Sequence, residues 1–150
     1  MSRAARSPGQ EPHVAVWFLV AHRAVEQRVF RALQGAGFEA TLAQGRLFAR
    51  IPEEGIRLTE LAASARVTKQ TAGFLVDQLE AAGYVERGPD RTDARARLVR
   101  IAPRGRQAQA LARTVEREIT EEWTRHLGSQ DMAELRRIME RLREVTDPYR

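Results

Sequence analysis

The stretch LTELAASARVTKQTAGFLVDQLEAA, residues 58–82, decides the fold. Leu58 to Ala65 reads as a short helix with Leu61, Ala62 and Ala65 inward. Thr68 to Ala82 reads as a longer one with Ala72, Leu75, Val76 and Leu79 inward, at the three- and four-residue spacing of an amphipathic helix. Only Arg66 and Val67 separate the two. Thr68 is a good N-cap, because a threonine hydroxyl accepts a backbone N–H that the first helical turn leaves open. Two short helices joined by so brief a turn must cross steeply, and that is a helix-turn-helix.

Working outward, Gly83 stops the second helix, and Tyr84–Arg87 and Leu98–Ile101 are expected as short strands with a polar loop, Gly88–Arg97, between them. The result is a β-hairpin appended to the helix-turn-helix. Pro103 fits the first turn of a following helix, where its missing N–H costs nothing. Leu111, Val115 and Ile119 form a stripe on that helix, Gly128-Ser129 break it, and Met132, Leu135, Met139 and Leu142 mark a last one. On the other side, Thr41 caps a helix with Leu42, Leu47, Phe48 and Ile51 apolar, ending at Pro52 and Gly55. A first helix of about six turns starts after Pro12, carries Phe18, His22, Val25, Val29 and Leu33 on one face, and ends at Gly35-Ala36-Gly37. Residues 1–12 lack periodicity and are expected to be a flexible arm. The expected fold is mostly α with a small β-hairpin, in one domain over 13–150. Its winged helix-turn-helix core spans about 41–102, flanked by N- and C-terminal dimerisation helices at about 13–36 and 103–147.

Composition agrees with a globular chain. Of 150 residues 43% are hydrophobic and 30% charged, against disorder or a fibrous repeat. Cysteine is absent, which excludes disulfides, thiolate zinc sites and cysteine chemistry. No apolar run approaches the roughly 20 residues of a membrane span. The most hydrophobic stretch, Val14–Ala24, is short and lacks a cleavage signal, so a cytoplasmic address is expected and no membrane association. The net charge is +5, which favours an anionic partner, nucleic acid first. From Tyr84 to Arg106 seven arginines face three carboxylates, a local net of +4, whereas Gln107–Asp147 is net −2, with seven arginines against nine carboxylates. The positive charge therefore lies in the hairpin, and the terminal helices look like a packing or dimerisation element.

This arrangement has a direct mechanical reading on duplex DNA. The helix starting at Thr68 fits a major groove about 12 Å wide, and the hairpin reaches an adjacent minor groove with arginine. The residues placed for contact are Thr68, Lys69, Gln70 and Thr71 on the helix and Arg91, Arg95 and Arg97 on the hairpin. Asp93, two residues before Arg95, either orients it or acts structurally. Metal binding and catalysis find no support: His13, His22 and His126 are scattered, a pair at i, i+4 such as His22 and Glu26 supplies only two ligands, and no phosphate loop or nucleophile motif is present. No catalytic residue, metal or cofactor is expected.

The chain resembles the MarR (multiple antibiotic resistance regulator) family of winged-helix transcription factors. The resemblance rests on Glu60-Leu61-Ala62, Val67-Thr68, Leu75-Val76-Asp77-Gln78-Leu79-Glu80, Gly83-Tyr84-Val85-Glu86-Arg87, Asp93-Ala94-Arg95-Ala96 and Gly105, in this order and spacing. Three departures stand out. Arg66 replaces a frequent glycine in the helix-turn-helix turn, at a cost of about 1 kcal/mol if the position is left-handed. Ile101-Ala102 replaces Leu-Thr and loses a side-chain N-cap, and Gly73-Phe74 replace a small polar and a basic residue. The resemblance implies a homodimeric transcriptional regulator; repression is expected ahead of activation, and the sequence leaves the two open. Its terminal helices would interdigitate and its two winged helices would sit on a pseudo-palindromic operator. It also implies a small aromatic anionic effector between the helical region and the winged lobe. Trp17 and His22 are the candidates to contact it, offering an apolar wall and a titratable donor; their competing roles are core or dimer interface for Trp17 and a hydrogen-bonded core histidine for His22. The alternative function is a winged-helix protein-interaction module that has lost DNA binding, for which Gly73 and Phe74 are the argument.

Overall fold

Two capped helices and the turn between them organise the chain. The computed structural model describes residues 12–90, 92, 93 and 95–147. Helix α3 (Leu58–Ser64) ends in a turn where Val67 N–H bonds Ala62 C=O (3.0 Å) and Arg66 N–H bonds Ala63 C=O (3.1 Å). That closing pattern requires a left-handed residue after the helix. Arg66 supplies it at φ 55°, so the strain expected of a non-glycine there is present. Helix α4 (Lys69–Ala81) follows, with Thr68 Oγ1 accepting the Thr71 N–H at 3.1 Å, as the sequence predicts. The same closing pattern ends α4, this time on Gly83 at φ 77°.

The hairpin strands are longer than expected. β2 (Val85–Pro89) and β3 (Arg97–Ile101) pair antiparallel from Val85 opposite Ile101 to Pro89 opposite Arg97, so the loop shrinks to residues 90–96. Pro89 is tolerated because β2 is an edge strand. A third strand, β1 (Ile56–Arg57), pairs with the other side of β3, Ile56 opposite Val99 and Arg57 opposite Leu98, giving the order β1-β3-β2. The sequence reading has only two strands: two residues cannot display an alternation, and β1 exists only because β3 offers it a ladder. Helix α2 (Leu42–Phe48) begins with a reciprocal cap between Thr41 and Gln44 and stops before Ile51, shorter than the apolar spacing indicates. Ile51 still enters the core from the turn that follows.

Leu47, Leu61, Val76, Val85 and Val99 are wholly enclosed, so α2, α3, α4 and the sheet share one apolar centre. Burial of such side chains is worth about 1.5–3 kcal/mol each. Helix α5 (Pro103–Leu127) leaves β3 at once. It starts on Pro103 with no side-chain cap from Ala102 and passes so close to the sheet that a Cβ at Gly105 would lie 2.1 Å from Tyr84 C=O. Helix α1 (Val14–Gly35) rests on α5, where Arg28 reaches Glu122 at 2.5 Å. Helix α6 (Ser129–Thr146) folds back on α5 and buries none of its own residues. The expected arm, apart from Pro12, lies outside the described residues.

Candidate nucleic-acid interface

The first turn of α4 presents Lys69, Gln70 and Thr71, all exposed, beside the exposed cap residue Thr68. The two threonines are already engaged: their hydroxyls lie 2.8 Å apart and Thr68 holds the Thr71 N–H. Lys69 and Gln70 make no hydrogen bond or ion pair among the described residues, which leaves their polar ends open to a ligand. One turn on, Phe74 stands 63% exposed on the same helix. It is an apolar ring on a face whose neighbours at this end are polar. Further along, Asp77 is occupied by Arg87, whose guanidinium reaches Asp77 at 2.6 Å and also pairs with Glu80.

The arginines of the wing divide into two groups. Arg87 is held by these two carboxylates. Arg97 donates to the Arg87 carbonyl (3.3 Å) and Arg100 to the Pro89 carbonyl (3.2 Å). Arg104 donates to the Ala82 and Gly37 carbonyls while lying over the Tyr84 ring, and Arg106 donates to the Ile101 carbonyl (2.6 Å). These side chains fasten the lobe together. Arg95 is exposed, and among the described residues its side chain has no partner. Its backbone N–H is fixed instead, donating to Asp93 Oδ1 at 3.1 Å, so Asp93 shapes the turn that carries Arg95. Arg91 lies outside the described residues. The charge count of the sequence thus overstates the free cations of the hairpin, because a count cannot see carbonyl acceptors.

Asp90, at the end of β2, is one of two polar residues buried among those described. Its Oδ1 accepts the Thr92 hydroxyl (2.7 Å) and N–H (2.8 Å), and its Oδ2 accepts Arg57 Nη2 (2.7 Å) and Nε (3.1 Å). The Thr92 bonds first, then the Arg57 guanidinium, hold its carboxyl well below the usual carboxylate range. Neither Asp90 nor Arg57 is singled out by the sequence reading. Arg57 sits outside any periodic segment, and its partner is 33 residues away.

Trp17 and His22 lie on the first half of α1, far along the chain from this face. Trp17 is 49% exposed and the His22 side chain 65%, its Nε2 3.9 Å from Glu26. Within its own chain His22 is therefore not a core histidine. Val14, Val16, Phe18, Leu19 and Val20 beside them are exposed as well. Among the described residues no group of three or more histidines and carboxylates is gathered to hold a metal, and no helix is long and apolar enough to cross a membrane.

A helix-turn-helix followed by a β-hairpin, whose inner strand also pairs with a short strand preceding the first helix of the motif, defines a winged-helix protein. Residues 41–96 match the model of the MarR family. Over nearly the whole chain the fold is similar to three solved structures. The first is the transcriptional regulator Tm0710 from Thermotoga maritima (26% identity, 88% of this chain and 92% of that one, TM-score 0.63). MarR follows (25% identity, 89% and 96%, TM-score 0.71), and then RV1404 from Mycobacterium tuberculosis (22% identity, 90% and 95%, TM-score 0.70), a likeness of fold alone. No curated protein matches the chain. The winged helix of this chain thus matches the MarR family model, and the chain as a whole is similar in fold to these regulators.

Proposed function

We propose that the chain is a dimeric, sequence-specific DNA-binding transcriptional regulator, acting as a repressor. The observation that carries this reading is the pairing of two polar ends without a partner among the described residues, Lys69 and Gln70 on the first turn of α4, with Arg95 on the wing, whose side chain likewise has no partner among them. A cation and an amide at a helix start suit phosphate and base edges in a major groove, and a lone exposed arginine on a hairpin suits the minor groove. Two copies are needed because the apolar half of α1 and the face of α6 are left uncovered by their own chain. A second copy would cover them and set two winged helices on a pseudo-palindromic site. A small aromatic anion would lodge beside Trp17 and His22, between these helices and the winged lobe, and shift DNA affinity by binding the two conformations unequally. The reading places the protein in the cytoplasm and gives it no catalytic role.

The test is binding to the DNA upstream of its own coding region, measured at two salt concentrations against unrelated DNA of equal length. A regulator binds the first duplex much more tightly and loses affinity steeply with salt. Equal binding to both duplexes removes sequence-specific regulation. Exposed Phe74 favours the second reading, a winged helix that docks protein instead of DNA. That reading gains if neither duplex is bound.

A further inference from the structure

The wing of this protein is tied to the helix-turn-helix through the β1–β3 ladder and through the pairing of Arg87 with α4, and beyond β2 through one further side chain. We propose that Arg57 is a positioning residue: it clamps the β2–β3 connection to the start of α3, and so sets where Arg95 stands relative to α4. This rests on the DNA-binding reading above.

The backbone of Arg57 belongs to β1 and to the entry of α3, where its N–H points to Glu60 Oε2 at 3.4 Å. Its guanidinium crosses to the other side of the hairpin, giving two hydrogen bonds to Asp90 Oδ2 and standing 3.7 Å from Asp93 Oδ2. The remaining oxygen of each carboxylate is spent on the wing itself, Asp90 Oδ1 on Thr92 and Asp93 Oδ1 on the Arg95 N–H. Asp90 N–H bonds Ala96 C=O, and Ala96 N–H bonds Asp93 C=O, which closes the loop upon itself. A continuous series of bonds therefore runs from the first turn of α3 to the backbone of Arg95. An ordinary surface ion pair is worth little. This one differs because the Asp90 side chain is only 8% exposed and both of its oxygens are filled, so removing Arg57 leaves a shielded carboxylate without its counter-charge. An arginine clamp that merely held the fold together would act on every part of the lobe alike. A positioning residue acts through Arg95.

The experiment compares the intact protein with Arg57→Ala, Arg95→Ala and the double variant, with Asp90→Asn approaching the clamp from the other side. In the DNA-free protein, amide exchange read by NMR should be about tenfold faster at Thr92 and Arg95 in Arg57→Ala and in Asp90→Asn, and unchanged at Leu75 and Val76 in α4. With the upstream duplex, Arg57→Ala should bind about tenfold more weakly, its log–log salt slope falling by about one, as for Arg95→Ala. The double variant should be no worse than Arg95→Ala, since both remove the same contact. Losses that multiply, or unchanged exchange at Thr92 and Arg95, overturn the clamp. If the intact protein does not prefer the upstream duplex, the DNA-binding reading falls and takes the presentation of Arg95 with it; the exchange data then decide separately whether Arg57 orders the wing.

Discussion

Arg87 and Arg95 lie on one hairpin and meet opposite fates. Arg87 is enclosed by Asp77 and Glu80 from α4, so its charge is consumed in joining the wing to the helix. Among the described residues the Arg95 guanidinium has no partner, and only its backbone is held. Arg95→Ala should therefore weaken binding to the upstream duplex by about 1–3 kcal/mol while leaving the thermal midpoint unchanged, as fluorescence anisotropy and a melting curve will read. Asp90 carries the second expectation at this scale. Its folded carboxyl is held below the ordinary value by Thr92 and then Arg57, so the unfolded chain binds the proton more readily. The contribution is fully present above the unfolded value of about 3.9 and is lost as pH falls below it. Urea midpoints taken from about pH 6 to about pH 2.5 should fall less steeply in Asp90→Asn than in the native protein. An equal slope in both would place the acid sensitivity elsewhere.

The elements are positioned by three close approaches, each made by one residue. Thr68 starts α4 and aims its first turn outward. The left-handed Arg66 turns the chain sharply enough for α3 and α4 to cross. Gly105 lets α5 leave the sheet without a gap. A Cβ there would meet Tyr84 C=O at 2.1 Å, Ile101 at 2.9 Å and Phe48 at 3.1 Å. The Tyr84 carbonyl cannot yield freely, since it accepts the Ala102 N–H at 3.0 Å. Gly105→Ala should cost about 2–3 kcal/mol in urea denaturation, because α5 must lift from the β-sheet and open the packing around Phe48. A loss within a few tenths of a kcal/mol would mean that α5 shifts with little resistance.

For the whole molecule the decisive fact is where apolar surface remains uncovered. The first half of α1 exposes Val14, Val16, Trp17, Phe18, Leu19 and Val20, and α6 exposes Ile138 and Met139. Because α6 buries none of its residues in its own chain, removing residues 130–150 should leave the winged lobe folded, with near-native circular dichroism over its remaining helices. The same truncation should turn a dimer into a monomer by light scattering and abolish tight operator binding. A truncated protein that remains dimeric would assign the contact to α1. Much of this architecture was determined by the sequence alone. Helix periods, the Thr41 and Thr68 caps, the Gly83 stop and the Pro103 start act within a few residues, so local patterning suffices to read the helix-turn-helix, the hairpin and the terminal helices. Tertiary structure decided the rest, since those features depend on residues brought together from distant positions. β1 needed β3 to pair with. Most of the hairpin arginines found carbonyls and carboxylates that no charge count reveals. Arg57 acquired its role only when the fold carried Asp90, 33 residues away, into reach.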